Sequence, residues 1–306
     1  MPMLRFALPL SFALLSVACV EERVNPLPQD ARADAVRSDS APSDDVADTD
    51  APADDALAQD SGVAPRDAGP SCVPNNDGVI ERSELPYVVG TQALFVVNDD
   101  NTTVDAINTA PTMGAMGLEW DFSAAKPSDR RVLDEVQNPM GRWWLPFYPT
   151  ANFALAVDRA GSNWALYRST DTALQILATV SRDTGRTNVA FTPAVDAIRF
   201  PLREGSTWTV TSAGNGAFNG IATSTVNTYR FTVDRRGTVL TPATRFSALR
   251  LRMDLDQTVT GTVIRRTQRT YLFLSECWGL VARIASVDNE TAEEFTRASE
   301  YRRLGL

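Results

Sequence analysis

The chain has 306 residues, with 29 Lys and Arg against 38 Asp and Glu, 3 Cys and no His, for a formal charge of −9. Without histidine there is no Ser-His or Cys-His nucleophile pair and no His-ligated zinc, so acid–base chemistry falls to Asp, Glu, Tyr, Arg or the sole lysine, Lys126. The charge is uneven: 13 acids and 4 arginines lie in residues 20–70, a balance of 4 − 13 = −9, which leaves the rest near neutral and without the basic face a nucleic acid requires.

Residues 1–19, MPMLRFALPLSFALLSVAC, join a basic start to an apolar run and a small residue before Cys19. The run is shorter than the ~20 residues a spanning helix needs, and reads as a removable export signal. Leu14, Leu15, Ser16, Val17, Ala18 and Cys19 resemble the end of a bacterial lipoprotein signal, although Ser16 stands where leucine is usual and Leu15 lies one step earlier. The resemblance implies a signal peptide at residues 1–18 and lipidation of Cys19. The membrane would then be a partner through that lipid, and the protein would be exported and anchored in the cell envelope. Val20 in place of aspartate after the cysteine implies the outer membrane. An ordinary secretory signal cut near Ala18 is the alternative.

Residues 20–70 are rich in Ala, Asp, Pro and Ser and hold no aromatic residue. Such a segment buries too little apolar area to offset about 1–2 kcal/mol of backbone entropy per residue, so residues 19–70 are expected to be a disordered acidic linker below the lipid.

Residues 71–306 are expected to form a single β-rich globular domain: an antiparallel β-sandwich or an open, curved, barrel-like sheet. LFVVND, NFALAVD, WALYRS, LQILATVS and TNVAFTP are short apolar or alternating runs separated by Asp, Asn, Gly and Pro. STWTVTS, ATSTVNTYRFTVDR, RFSALRLRMDLDQT, TVIRRTQRTYLFLS and WGLVARIAS then follow in close succession, rich in Thr and Val. Tyr229, Phe231 and Val233 alternate with Arg230, Thr232 and Asp234, giving one apolar and one polar face. Asp234-Arg235-Arg236-Gly237 reads as a hairpin turn. GNGAFNG, residues 214–220, lacks lysine and joins two strands, which excludes a phosphate loop. The best helix is at residues 128–136, capped by Ser128 with Val132, Leu133 and Val136 on one face. Residues 293–304 fit a helix or, preferably, a last strand. FPLREGSTWTV, TPATRFSALRLRM and ECWGLVARI resemble stretches of uncharacterised envelope lipoproteins with a curved antiparallel sheet, with Thr244 where those carry glycine. That resemblance implies architecture rather than activity.

With Cys19 lipidated, Cys72 and Cys277 remain as an even pair, and an envelope location permits a disulfide between them; two buried free thiols are the alternative. Cys72 opens the stretch SCVPNNDGVIERSEL, residues 71–85. Over Asn75 to Glu84 it resembles part of an EF-hand loop. Asn75 and Asp77 fall at ligand places, Gly78 at the turn, Val79 offers its carbonyl, and Glu84 takes the terminal acid place. Val73 stands where the first acidic ligand belongs, and Pro74 and Pro86 deny the flanking helices. The set implies weak calcium binding; the alternative is an Asn-Asp-Gly turn with a short capped helix.

GRWWLPFYP, residues 141–149, offers Trp143, Trp144, Phe147 and Tyr148 as ligand contacts or as a core plug at a sheet end. Arg265 and Arg269 share one strand face and Arg266 the other, which reads as a solvated face. No catalytic motif stands out. The expected function is a lipid-anchored, non-enzymatic envelope protein whose β domain binds a ligand or protein partner or is structural. Two alternatives are a carboxylate-based envelope hydrolase and a calcium-stabilised adhesion module.

Overall fold

The computed structural model describes residues 72–98 and 102–305. The signal-like start, Cys19 and the acidic linker lie outside the described residues, as do Asp99, Asp100 and Asn101.

The described residues are mainly β, with no α-helix among them. The strands are β1 (Val79–Ile80), β2 (Gln92–Asn98), β3 (Thr112–Gly114), β4 (Gly117–Asp121), β5 (Asp129–Glu135), β6 (Phe153–Ala156), β7 (Asn163–Ser169) and β8 (Ala173–Ser181). They continue as β9 (Asn188–Arg199), β10 (Leu202–Arg203), β11 (Thr207–Phe218), β12 (Ile221–Leu240), β13 (Arg245–Val259), β14 (Arg265–Ser275), β15 (Gly279–Ser286) and β16 (Ala298–Leu304). Twelve of them make one antiparallel path, β5-β2-β16-β15-β14-β13-β12-β11-β9-β8-β7-β6. Its ends meet just past β5, where the Gln137 N–H donates to the Ala154 carbonyl at 2.9 Å and the Ala154 N–H donates back at 3.1 Å. Of the two expected architectures, this is the curved, barrel-like sheet, nearly closed, with one bridge pair joining its ends. Closure matters because an open edge leaves a row of unpaired backbone groups.

The long hairpins follow from alternation. Tyr229, Phe231 and Val233 are buried inside the barrel while Arg230 is exposed. The β11–β12 turn is Asn219-Gly220, both at positive φ (51° and 83°), as a two-residue hairpin requires. Residues 298–304 form the expected last strand, β16.

Two local expectations are corrected. Residues 128–136 are not a helix but contain β5, paired antiparallel with β2 through Phe95–Val132 and Ala93–Asp134. The segment fits both periods, and pairing with the free side of β2 outweighs the local helix pattern; Leu133, assigned to a helix's apolar face, is 59% exposed. Asp234-Arg235-Arg236-Gly237 does not turn, because β12 runs through it with a bulge between Val233 and Arg235. Arg250 of β13 grips Asp234 with two hydrogen bonds, 2.9 and 2.7 Å, and Gly237 lets the Leu118 carbonyl and the Trp120 ring of β4 approach closely.

Three apolar clusters result. The first lines the barrel interior and includes Ile80, Leu85 and Leu202 from the small β1–β10 pair and its turn. Most of the second lies on the outer face of β12–β16 beneath Val104, Ile107, Trp120 and Phe122, while its Phe95 and Leu304 also line the barrel's interior. The third lies on the outer face of β6–β9 beneath Trp144 and Ala151.

Candidate functional site

The barrel is not packed solid. It contains a cavity of about 630 Å³, within the ~300–1,000 Å³ range of small-molecule sites. The lining passes from exposed Thr91, Gln92, Thr244 and Trp278 at one end to the buried side chains of Leu251 and Phe231. That end carries the β12–β13 and β14–β15 turns, the start of β2 and the end of β16.

One polar cluster interrupts the apolar wall. Leu251 faces Leu272, Leu272 faces Arg283 and Arg283 faces Arg302 across β13–β16, and directly opposed residues share a face, so both arginines point inward. Arg302 donates to Glu300 through Nε at 2.9 Å and to Asp134 through Nη1. Arg283 Nη1 lies 2.7 Å from Glu300 Oε2, but the approach misses hydrogen-bond geometry. Its Nε and Nη2 have no hydrogen-bond partner in the protein, although the side chain is 0% exposed. Burial holds the Arg283 guanidinium below its usual pKa, with Glu300 acting in the opposite direction. Burial pushes the Asp134 carboxyl up, opposed chiefly by Arg302.

Across the lumen, Tyr87, Phe153 and Tyr167 form a stack, with ring centroids 5.5 and 5.1 Å apart. Burial pushes the Tyr87 hydroxyl up to about 12. The buried Tyr167 hydroxyl has no hydrogen-bond partner. Burial raises its pKa, Tyr87 adds to the rise, and Arg283 opposes it.

The residues singled out in the sequence are distributed as follows. Cys72 and Cys277 form a disulfide with Cα atoms 5.4 Å apart, and Cys277 lies beside the cavity. The bond holds residues 72–90 at the cavity's exposed end, where the Cys277 N–H also donates to the Glu84 carbonyl at 2.8 Å. In the loop before it, Asn75 Oδ1 accepts from Asp77 N–H, Asp77 Oδ1 from Val79 N–H, and Glu84 Oε2 from Glu81 N–H. Those oxygens serve the backbone of an Asx turn and a capped 3-10 turn, Arg82–Glu84. Among the described residues no group of three His, Cys, Asp or Glu is placed to hold a metal ion.

Trp143, Trp144, Phe147 and Tyr148 do not line the cavity. They cover the outside of β6–β9. Trp144 is fully buried, Trp143 Nε1 donates to the Ser181 carbonyl at 3.0 Å, and the Tyr148 hydroxyl donates to Asn188 at 2.6 Å. Arg265, Arg266 and Arg269 pair with Asp256, Asp288 and Asp254.

Arg283, Glu300, Arg302, Asp134 and Tyr167 were not singled out by sequence reasoning. Arg283 left one usable signal, a lone charge inside the apolar run GLVARIAS. Glu300 and Arg302 gave the opposite signal, because charges two apart normally mark the wet face of a strand.

No protein-family model matches the chain, and no curated protein sequence is significantly similar to it. Two solved structures are similar in part. One is a candidate lipoprotein from Parabacteroides distasonis, 10% identical, covering 71% of this chain and 96% of that chain with a TM-score of 0.33. The other is a candidate exported protein with a YmcC-like fold from Bacteroides fragilis, 10% identical, covering 71% of this chain and 95% of that chain with a TM-score of 0.25.

Proposed function

We propose that the barrel is a non-enzymatic receptor or carrier for one largely apolar small molecule, exported and held at the cell envelope by a lipid on Cys19. The observation that carries the binding role is the cavity of about 630 Å³ inside the barrel, lined mainly by apolar side chains and reaching exposed residues at one end. Its lining does not include Trp143, Trp144, Phe147 and Tyr148, the ligand contacts expected from the sequence. The export and anchoring parts rest on the signal-like start, with the Cys72–Cys277 bond in keeping with an oxidising compartment.

The test is titration of the full chain carrying Cys19→Ser with a neutral fluorescent hydrophobe, N-phenyl-1-naphthylamine, alongside Ala197→Trp, which narrows the cavity. Saturable one-to-one binding that Ala197→Trp weakens is expected, with the bound compound recovered chemically unchanged. Binding that does not saturate, or that ignores Ala197→Trp in a folded variant, overturns the binding role. Mass spectrometry of the mature N-terminus checks the anchor separately: an acylated Cys19 supports it, and an unmodified or absent Cys19 removes it.

A further inference from the structure

We infer that the ligand of this cavity is a single-chain amphiphile with an anionic carboxylate head, and that Arg283 and Tyr167 receive the head while the tail lies along the apolar wall. The inference rests on the binding role proposed above and adds the ligand's chemical class.

The unpartnered donors favour an anion. Of the two inward arginines, Arg302 is fully engaged by Asp134 and Glu300, whereas Arg283 meets only Glu300 and meets it at a poor angle. A guanidinium presents a planar fork of donors that matches the two oxygens of a carboxylate. The fork of Arg283 is buried with Nε and Nη2 unpartnered, and an unsatisfied buried donor is costly. The second unpartnered donor is the Tyr167 hydroxyl. Tyr167 and Arg283 line the same cavity, although they lie on strands separated by β16, β2, β5 and β6. Both are donors aimed at an acceptor, which a carboxylate bound in that cavity supplies.

A cationic head is the weaker fit. Asp134 Oδ2 already takes Arg302, and although its Oδ1 has no partner, burial biases the carboxyl toward the neutral form, which offers a cation little. The remaining volume suits one chain: about 630 Å³ holds roughly twenty groups of ~30 Å³ each, the share of one water and close to that of one methylene. Leu251, Leu272, Leu274, Phe231 and Met253 supply the tail's surroundings.

The experiment compares palmitate, hexadecanol and hexadecyl phosphate as displacers of N-phenyl-1-naphthylamine, using the full chain with Cys19→Ser and its Arg283→Gln and Tyr167→Phe variants. Palmitate is expected to bind about tenfold or more tighter than hexadecanol in the parent, as charge-assisted hydrogen bonds to a buried fork imply. Arg283→Gln is expected to abolish that preference, and Tyr167→Phe to reduce it. Hexadecyl phosphate separates sources: weaker binding than palmitate supports a carboxylate head, and stronger binding overturns that choice in favour of a phosphate-bearing lipid. Hexadecanol binding as tightly as palmitate overturns the anionic head while leaving the cavity's role intact. If none of the probes binds, the binding role fails and takes the inference with it. Should Arg283→Gln not fold, the parent's preference and its reduction in Tyr167→Phe still decide.

Discussion

Gln137 and Ala154 join the two ends of the sheet: their backbones exchange hydrogen bonds of 2.9 and 3.1 Å, and no other bridge pair links β5 and its extension to β6 among the described residues. β12 and β13, by contrast, are paired from Thr225–Val259 to Leu240–Arg245. A seam one pair wide opens at lower free energy than a ladder of that length. Native-state hydrogen exchange should therefore show the Gln137 and Ala154 amides exchanging at least ~10-fold faster than those of Phe231 and Met253. Equal protection would mean that the seam is not the barrel's weak joint.

The disulfide closes a long loop, with a sequence separation of 205. Chain-entropy arguments put such a crosslink at up to about 5 kcal/mol. Cys72→Ser with Cys277→Ser should lower the unfolding free energy by about 2–5 kcal/mol in urea titrations. Because the bond holds residues 72–90 beside the cavity, the same variant should release N-phenyl-1-naphthylamine faster in stopped-flow measurements. An unchanged release rate would show that this segment does not limit the exit.

Arg250 is fully buried on the outer face, bound to Asp234 and Glu294 and lying 4.2 Å over the Tyr271 ring. Arg250→Ala leaves two carboxylates without their shared cation and should cost about 3–5 kcal/mol. Arg265 and Asp256 form a pair at the surface, and Arg265→Ala should cost far less than Arg250→Ala. Chemical denaturation of the two variants checks the contrast.

Asp134 predicts a pH effect of defined sign. Its carboxyl pKa is raised in the folded protein above 3.8, first by burial. The folded state then holds the proton more tightly than the unfolded state, so this group subtracts stability as pH rises from about 3.8 to the raised value. Urea titrations from pH 3 upward (about half-unit steps) should show a smaller loss across that window for Asp134→Asn than for the parent. Parallel curves would deny Asp134 this role.

The aromatic loop provides a separate test. Trp144 is 0% exposed in the outer core, and Phe147 is 66% exposed at its edge. Trp144→Ala should cost about 3–5 kcal/mol by leaving a void, with N-phenyl-1-naphthylamine affinity unchanged in the folded fraction. Phe147→Ala should change neither stability nor affinity appreciably. A loss of affinity in Phe147→Ala would return the loop to the binding site.

The amino-acid sequence by itself determined the β class and the succession of strands across residues 207–286, because both rest on local alternation; the pairing of Cys72 with Cys277 was an expectation that depended on Cys19 being taken by a lipid. Tyr229, Phe231 and Val233 announce a buried strand face wherever the strand lies. Only the tertiary structure decided that the sheet closes into a barrel, that residues 129–135 extend as β5 and that the interior keeps a cavity. Those outcomes depend on partners far apart in the chain, such as Phe95 with Val132 or Gln137 with Ala154. The inward turn of Arg283 and Arg302 was hidden for the same reason: a charged side chain on an alternating strand reads as solvent-facing until the sheet curls round and encloses it.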